Sequence, residues 1–274
     1  MSKICAFLYC VFTLICITSC DDRLNLEKGT VSEEATKMSP KIGELISKAR
    51  QGDVEAYDAL AECYRDGAGV VQNDFNMLTM YLLSCRMSDR NIEDVIKSLD
   101  DNNPLRLLIE VLDCARIEQA PQELVAKLRN ASPADALIYG AIYTIDCEND
   151  TLGALQLFKE AVEKGSDMAC ILQIFLYERL GYKDKMEQTL HAYAYRFPVL
   201  YVKLGELSLQ REGEDALEQA AKYFNLADNY GMLTARGARE LSDVYRMLEK
   251  TGRMKCDRQE MDRLEALAKK MNGN

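Results

Sequence analysis

The residue most clearly suited to a chemical modification is Cys20, which carries a thiol. The sequence before it has the order of a removable export leader. One basic residue, Lys3, precedes an uncharged and largely apolar run over residues 4–17, and small residues follow that run. This order is typical of a secretory signal peptide, and the run is shorter than the ~20 apolar residues that a membrane-spanning helix needs. We therefore predict a processed leader and not a transmembrane anchor.

The end of the leader, Ile17-Thr18-Ser19-Cys20, resembles the lipobox of bacterial lipoproteins. The resemblance implies that the Cys20 thiol receives a diacylglycerol, that cleavage removes residues 1–19, and that the new amino group is acylated, for instance with palmitate. Each buried methylene contributes ~0.8 kcal/mol, so several acyl chains would make membrane attachment effectively permanent. The alternative is a plain signal peptide with a chance cysteine at that position.

The residues after Cys20 bear on where such a lipoprotein would reside. Asp21 and Asp22 would lie beside the bilayer, and acidic residues at these positions accompany either inner-membrane retention or export to the cell surface in different bacteria. We expect a cell-envelope lipoprotein in the outer membrane, on its periplasmic or cell-surface face, in preference to the inner membrane. Residues 20–39 are polar and weakly patterned, which predicts a flexible tether before the structured residues 40–274.

Composition limits both the partners and the fold class. The whole chain has 34 basic and 44 acidic residues; removing residues 1–19 takes away one lysine and no acid, which leaves 33 and 44 and a net charge of −11. A surface of that sign disfavours nucleic-acid binding and polybasic attachment to membranes. Few prolines, abundant Ala, Leu, Glu and Lys, and little strand-like alternation predict an all-α fold.

Two segments of the chain repeat one pattern of residues at a distance of 66 residues. Small, aromatic and glycine positions recur at identical spacing, and two units of about 33 residues fit between the copies. The first copy comprises Ala154, Phe158, Ala161, Gly165 and Ala169, and the second comprises Ala220, Phe224, Ala227, Gly231 and Ala235.

Each repeated position has a physical role in a packed pair of helices. The alanines and the phenylalanine share one helical face, where small residues allow close crossing and the ring fills the adjacent groove. Gly165 and Gly231 fall where a helix must end, and glycine adopts the left-handed conformation there without steric cost. The pattern therefore predicts helices that stop, reverse and pack on their neighbours.

An earlier unit carries the clearest family pattern. Its positions are Gly52, Ala56, Leu60, Tyr64, Gly67 and Gly69, with Tyr81 in the second helix. This pattern resembles the Sel-one-like repeat of the tetratricopeptide-type solenoids, and Gly165, Ala169 and Tyr177 repeat part of it. The resemblance implies a right-handed α-solenoid of antiparallel helix pairs.

The predicted repeats cover residues 49–88, 133–166, 167–197, 198–231 and 232–274. Residues 89–132 fit the pattern poorly and are predicted to be a degenerate repeat or an inserted helix pair. Tetratricopeptide-type repeats or a non-repeat helical bundle therefore remain possible in the middle of the chain. The last repeat ends in an amphipathic segment, 257–271, with apolar residues on one face. We expect this segment to be a capping helix, which a solenoid requires at an exposed end.

Residue types that carry enzyme chemistry are sparse. His191 is the single histidine, and no metalloprotease, P-loop or nucleophile-elbow motif is present. We expect no catalytic residues, no metal site and no cofactor. Six cysteines lie beyond Cys20, and we predict unpaired core thiols, although an even number in an oxidising compartment permits disulfides. They are Cys63, Cys85, Cys114, Cys147, Cys170 and Cys256.

A local aromatic cluster is the remaining candidate for ligand contact. Tyr193, Tyr195 and Tyr201 are close in sequence to Phe197; packing between helices explains such a cluster, but part of it could hold a peptide or sugar. The function predicted is a lipid-anchored scaffold that binds a protein or peptide partner through the concave surface of a helical repeat. Glycan or nutrient binding is the alternative, which the absence of tryptophan disfavours, followed by an enzyme with an unrecognised site.

Overall fold

The computed structural model describes residues 40–88, 90–114, 116–211, 213 and 215–273. These residues contain 14 α-helices, one short 3-10 helix and no strand, which confirms the all-α prediction. The predicted leader, the Cys20 lipidation site and the tether up to residue 39 lie outside the described residues. None of the described helices combines the length and apolarity that crossing a bilayer would require.

Contacts divide the described chain into two compact units. The first unit is a continuous segment, residues 91–189, and the second joins residues 40–90 to residues 190–273. The division falls within a helix, α10 (Lys183–Tyr193).

The continuous unit contains helices α4 (Ile92–Lys97), α5 (Pro104–Leu112), α6 (Gln122–Ala131), α7 (Pro133–Glu148), α8 (Thr151–Glu163) and α9 (Asp167–Arg179), with a 3-10 helix at Ile117–Gln119. Within it, α7 packs most extensively on α8, and α8 packs on α9. Asn103 caps α5 just before Pro104, which occupies the first helical position.

The other unit contains α1 (Pro40–Arg50), α2 (Val54–Asp66), α3 (Asp74–Arg86), α11 (Leu200–Leu209), α12 (Ala216–Asn229), α13 (Ala235–Lys250) and α14 (Arg258–Met271). Successive helices pack on one another, with α2 against α3, α11 against α12, and α13 against α14. The rings of Phe75 and Phe197 meet edge to face at 5.4 Å, which joins the early and late segments of the chain in one core.

Local capping explains why most helices begin where they do. Asp53 accepts hydrogen bonds from the backbone of Glu55 and Ala56, and Asn73 accepts one from Asn76. Asp150 does the same for Gly153 at the start of α8. Side-chain oxygens at these positions satisfy N–H groups that have no partner within the helix.

The last helix follows the predicted amphipathic pattern. Asp257 caps α14, and its apolar face is buried. The buried residues of that face are Met261, Leu264, Leu267, Ala268 and Met271. This face packs on α13, and the Lys270 ammonium of the same helix donates to the carbonyl of Gly52 after α1. Helix α14 therefore also contacts the turn between α1 and α2, which the sequence did not predict.

Candidate functional site

The predicted repeat residues lie where packing requires them to lie. Ala154, Phe158 and Ala161 are buried in α8, and Ala220, Phe224 and Ala227 are buried in α12. Tyr177 and Tyr81 are half-buried. The buried set also includes Gly52, Ala56, Leu60, Tyr64, Ala169, Gly231 and Ala235. The buried side chains at these positions pack in the hydrophobic cores of the two units and are not accessible to a ligand.

Several glycines at the predicted repeat positions follow the ends of helices. Gly67 has φ 69° after α2 and its N–H donates to the carbonyl of Cys63, while Gly69 follows in the same exposed loop. Gly165 and Gly231 have φ values of 94° and 68°. Gly231 has a second role, because a Cβ built on it would lie 3.4 Å from the Cβ of Ala49 in α1.

The three tyrosines predicted to contact a partner have different environments. Tyr195 is 70% exposed, Tyr193 is half-buried, and Tyr201 is only 7% exposed. The ring of Tyr201 stacks on that of Tyr223, with the ring centroids 6.2 Å apart. The His191 ring lies 5.9 Å from the Tyr223 ring. Packing between helices therefore accounts for Tyr201, and Tyr195 is the tyrosine of this set that presents most of its surface to solvent.

An ionic cluster ties three helices of the discontinuous unit together. The Asp228 carboxylate in α12 is 1% exposed and accepts from Arg50 Nε at 2.8 Å and from Arg263 Nη2 at 2.7 Å. Arg263 also donates to the Arg50 carbonyl and to Glu260. Hydrogen bonding from Arg263 lowers the pKa of Glu260, whereas burial raises the pKa of the neighbouring Tyr57.

A second ionic cluster lies between α11 and α13. Lys203 and Glu206 are buried in α11, with Nζ and Oε2 3.9 Å apart. Arg236 Nε in α13 lies 3.4 Å from Glu206 Oε1 and 2.6 Å from Glu240 Oε1. Opposite charges compensate one another across the two helices, as burial of charge requires.

The six cysteines of the described residues differ in burial. Cys63 and Cys170 are buried, as predicted for core thiols, whereas Cys147 is exposed at the end of α7. Burial raises the pKa of the Cys85 and Cys256 thiols, and desolvation is also the largest cause of the raised pKa of Cys147. A raised pKa disfavours the thiolate, which is the nucleophilic form. Among the described residues, no group of three or more His, Cys, Asp or Glu side chains could hold a metal ion.

Neither ionic cluster was predicted from the sequence. Their residues come from distant positions, with Arg50 separated from Asp228 by 178 residues and from Arg263 by 213. The one available signal was the position of Lys203 and Glu206 within an otherwise apolar helix, which indicates a buried pair. Burial of charge there could have been predicted, but not the partner helix.

Chemically, the described polar groups are suited to holding helices in place. The two ionic clusters and the stacked tyrosines each bridge helices. Comparisons with models of protein families, with curated proteins and with solved structures found no match to this chain.

Proposed function

We propose that this chain is a lipid-anchored scaffold of the bacterial cell envelope that binds a protein or peptide partner on the surface of its helix pairs. The observation that carries the proposal is that the ionic and aromatic clusters of the described helices bridge one helix to another. Polar groups used in this way hold neighbouring helices in place, and solenoids of stacked helix pairs bind partners on extended concave surfaces.

Antiparallel pairing, as in an α-solenoid, is part of the proposal. In the α7–α8 pair, a Cβ on Gly140 would lie 3.7 Å from Leu157, and a Cβ on Gly153 would lie 3.3 Å from Thr144. In α11 and α12, a Cβ on Gly205 would lie 2.7 Å from the ring of Phe224. From residue 140 to residue 144 along α7, the contacted residue in α8 moves back from 157 to 153. This order of contacts supports antiparallel packing of α7 and α8.

Anchoring rests on Cys20 and on the polar stretch that follows it. A scaffold tied to a bilayer through acyl chains remains near its partner, which raises the effective concentration of one for the other. We propose that the anchor lies in the outer membrane and that the partner is another envelope protein.

Chemical crosslinking in intact cells, followed by mass spectrometry of the purified chain, tests this function. The scaffold proposal predicts a discrete crosslinked polypeptide, with crosslinks that map to lysines of the described helices, and loss of that product in a Cys20→Ala variant that no longer reaches the membrane. An absence of crosslinked protein, together with turnover of a substrate by the purified chain, would refute it.

A further inference from the structure

Helix α7 is largely apolar in composition, yet few of its residues are fully buried. Between residues 134 and 145 it contains a single charged residue, Asp135, whose carboxylate accepts a 2.5 Å hydrogen bond from Ser166. An apolar helix of this kind is normally enclosed by protein on all sides. Yet only Ile138 and Ala141 of α7 are fully buried.

Two other helices show what enclosure looks like in this chain. In α9, eight of 13 residues are buried, including the polar Gln173. In α11, eight of ten residues are buried, and these include the charged Lys203 and Glu206. The fold therefore buries charges in α11 while it leaves apolar side chains of α7 partly in water. The partner helix α8 shares this low burial, since only Ala154, Phe158 and Ala161 of its 13 residues are buried.

The half-buried apolar residues of α7 continue onto α8. They are Leu137, Tyr139, Ile142, Tyr143 and Ile145. The pairing of Thr144 with Gly153 brings the end of α7 beside the start of α8, where Leu152 is 71% exposed. Ile145 falls on the same helical face as the buried Ile138 and Ala141, whereas Tyr139, Ile142 and Tyr143 share another face. We call Tyr139, Ile142, Tyr143 and Leu152 the α7–α8 surface.

Acidic side chains border this surface at the same end of the helix pair. Asp146, Glu148 and Asp150 are all exposed, and residues 133–163 contain six acidic residues against one basic residue, Lys159. Two cations come from neighbouring elements, Arg129 near Tyr139 and Arg116 near Cys147. The negative border is strongest at the end of the helix pair that carries Asp146, Glu148 and Asp150. The electrostatic field of such a border attracts cationic groups and repels anionic headgroups and phosphate backbones. The surface therefore combines apolar contact area with a negative border.

We propose that the α7–α8 surface is the docking site for the partner, and that the partner contributes an apolar segment flanked by Lys or Arg residues. This inference deepens the scaffold function and rests on it. Leucine or aromatic side chains of the partner segment pack on Leu152 and the tyrosines, while its cations pair with the acidic border. Charge complementarity selects this occupant over a second copy of the chain, since two copies would bring like charges together.

A defined peptide tests the surface directly. Purified mature chain is titrated against a fluorescein-labelled 16-residue peptide of alternating Leu and Lys clusters with helical spacing, and against the same peptide with Glu in place of Lys. Fluorescence anisotropy should report saturable binding of the Lys peptide at one site and no binding of the Glu peptide. Leu152→Ser should weaken binding about tenfold, because one large apolar contact is lost.

Matched variants separate this site from general attraction to an acidic protein. Val71→Ser removes a similarly exposed apolar side chain, 75% exposed, from the other unit and should leave binding unchanged. The double change Asp146→Lys and Glu148→Lys should abolish binding, whereas Glu163→Lys on the far end of α8 should reduce it only about twofold.

Three results would overturn the inference. They are equal binding by all variants, the absence of any binding of the Lys peptide, and a chain that dimerises through α7–α8 so that Leu152→Ser converts it to a monomer in sedimentation. The scaffold function would still be judged separately, because crosslinking in cells captures a partner wherever on the chain it binds.

Discussion

Removal of the Asp228 carboxylate tests whether the first and last helices are held together by a buried ionic cluster. In Asp228→Ala, Arg50 and Arg263 lose the oxygen that both contact at 2.7 Å. Removing one partner of a buried ion pair costs about 3–5 kcal/mol because the remaining charge is left uncompensated. Arg50 is 33% exposed, and Glu260 stays within 3.5 Å of it, so we expect about 3 kcal/mol.

Urea unfolding followed by circular dichroism and tyrosine fluorescence measures this change. With a dependence of about 2 kcal/mol per molar urea, a loss of 3 kcal/mol lowers the midpoint by about 1.5 M. Because the chain has two compact units, the shift should affect one transition and leave any separate transition of residues 91–189 in place.

The matched control removes an aspartate from an exposed ion pair. Asp243 lies 3.0 Å from Arg246, and both side chains are more than half exposed, so Asp243→Ala should change stability by less than about 1 kcal/mol. Equal midpoints for Asp228→Ala and the natural chain, or equal shifts for the two variants, would show that the cluster does not hold these helices together.

Three further predictions concern acid stability, helix packing and anchoring. The hydrogen bond from Arg263 lowers the pKa of Glu260 from its ordinary value of 4.5. The contribution of Glu260 to the free energy of unfolding is therefore complete above about pH 4.5 and is lost as the pH falls below that value. Urea unfolding midpoints measured at a series of acidic pH values test this. Gly205→Ala places a methyl group 2.7 Å from the Phe224 ring and should destabilise the chain by about 1–3 kcal/mol in urea unfolding. Cys20→Ala should leave an unprocessed or soluble precursor in membrane fractionation.

Each of these has a control. Glu260→Gln should flatten the acid limb of the stability profile, and an unchanged limb would contradict the pairing with Arg263. Gly43→Ala, where no atom lies within 4 Å of the new methyl group, should stabilise α1 by up to about 1 kcal/mol. Cys16→Ala in the leader should process normally, and membrane recovery of the Cys20 variant equal to that of the natural chain would refute the anchor.

Features that depend on local sequence could be predicted. The capping residues Asp53, Asn73 and Asp150 mark helix starts because a side-chain oxygen reaches N–H groups only two or three residues away. The buried face of α14 was predictable because apolar residues three and four apart share a helical face.

Features that depend on distant segments could not be predicted. Nothing near Arg50 or Asp228 in sequence indicates that residues 40–90 and 190–273 form one unit. A simple helical repeat, in which each repeat contacts only its neighbours, gives no reason for Gly231 to lie against Ala49. Such contacts depend on the path of the whole chain.

The exposure of the candidate contact residues could not be predicted from the sequence either. Tyr195 and Tyr201 are equally aromatic in sequence, but one is exposed and the other stacks within the core. The apolar composition of α7 predicts a core helix, whereas the structure leaves much of it half-buried. Burial is decided by neighbouring helices, so sequence periodicity alone does not separate packing residues from contact residues.

Site-specific photocrosslinking in intact cells tests the scaffold function most directly. A benzophenone amino acid is placed at position 152 on the α7–α8 surface, and at positions 195 and 247 as exposed comparison sites. We predict that position 152 captures one discrete polypeptide whose crosslinked segment is apolar and flanked by basic residues. Capture of no polypeptide at any of the three positions, in cells where the chain is processed and membrane-bound, would contradict the scaffold function.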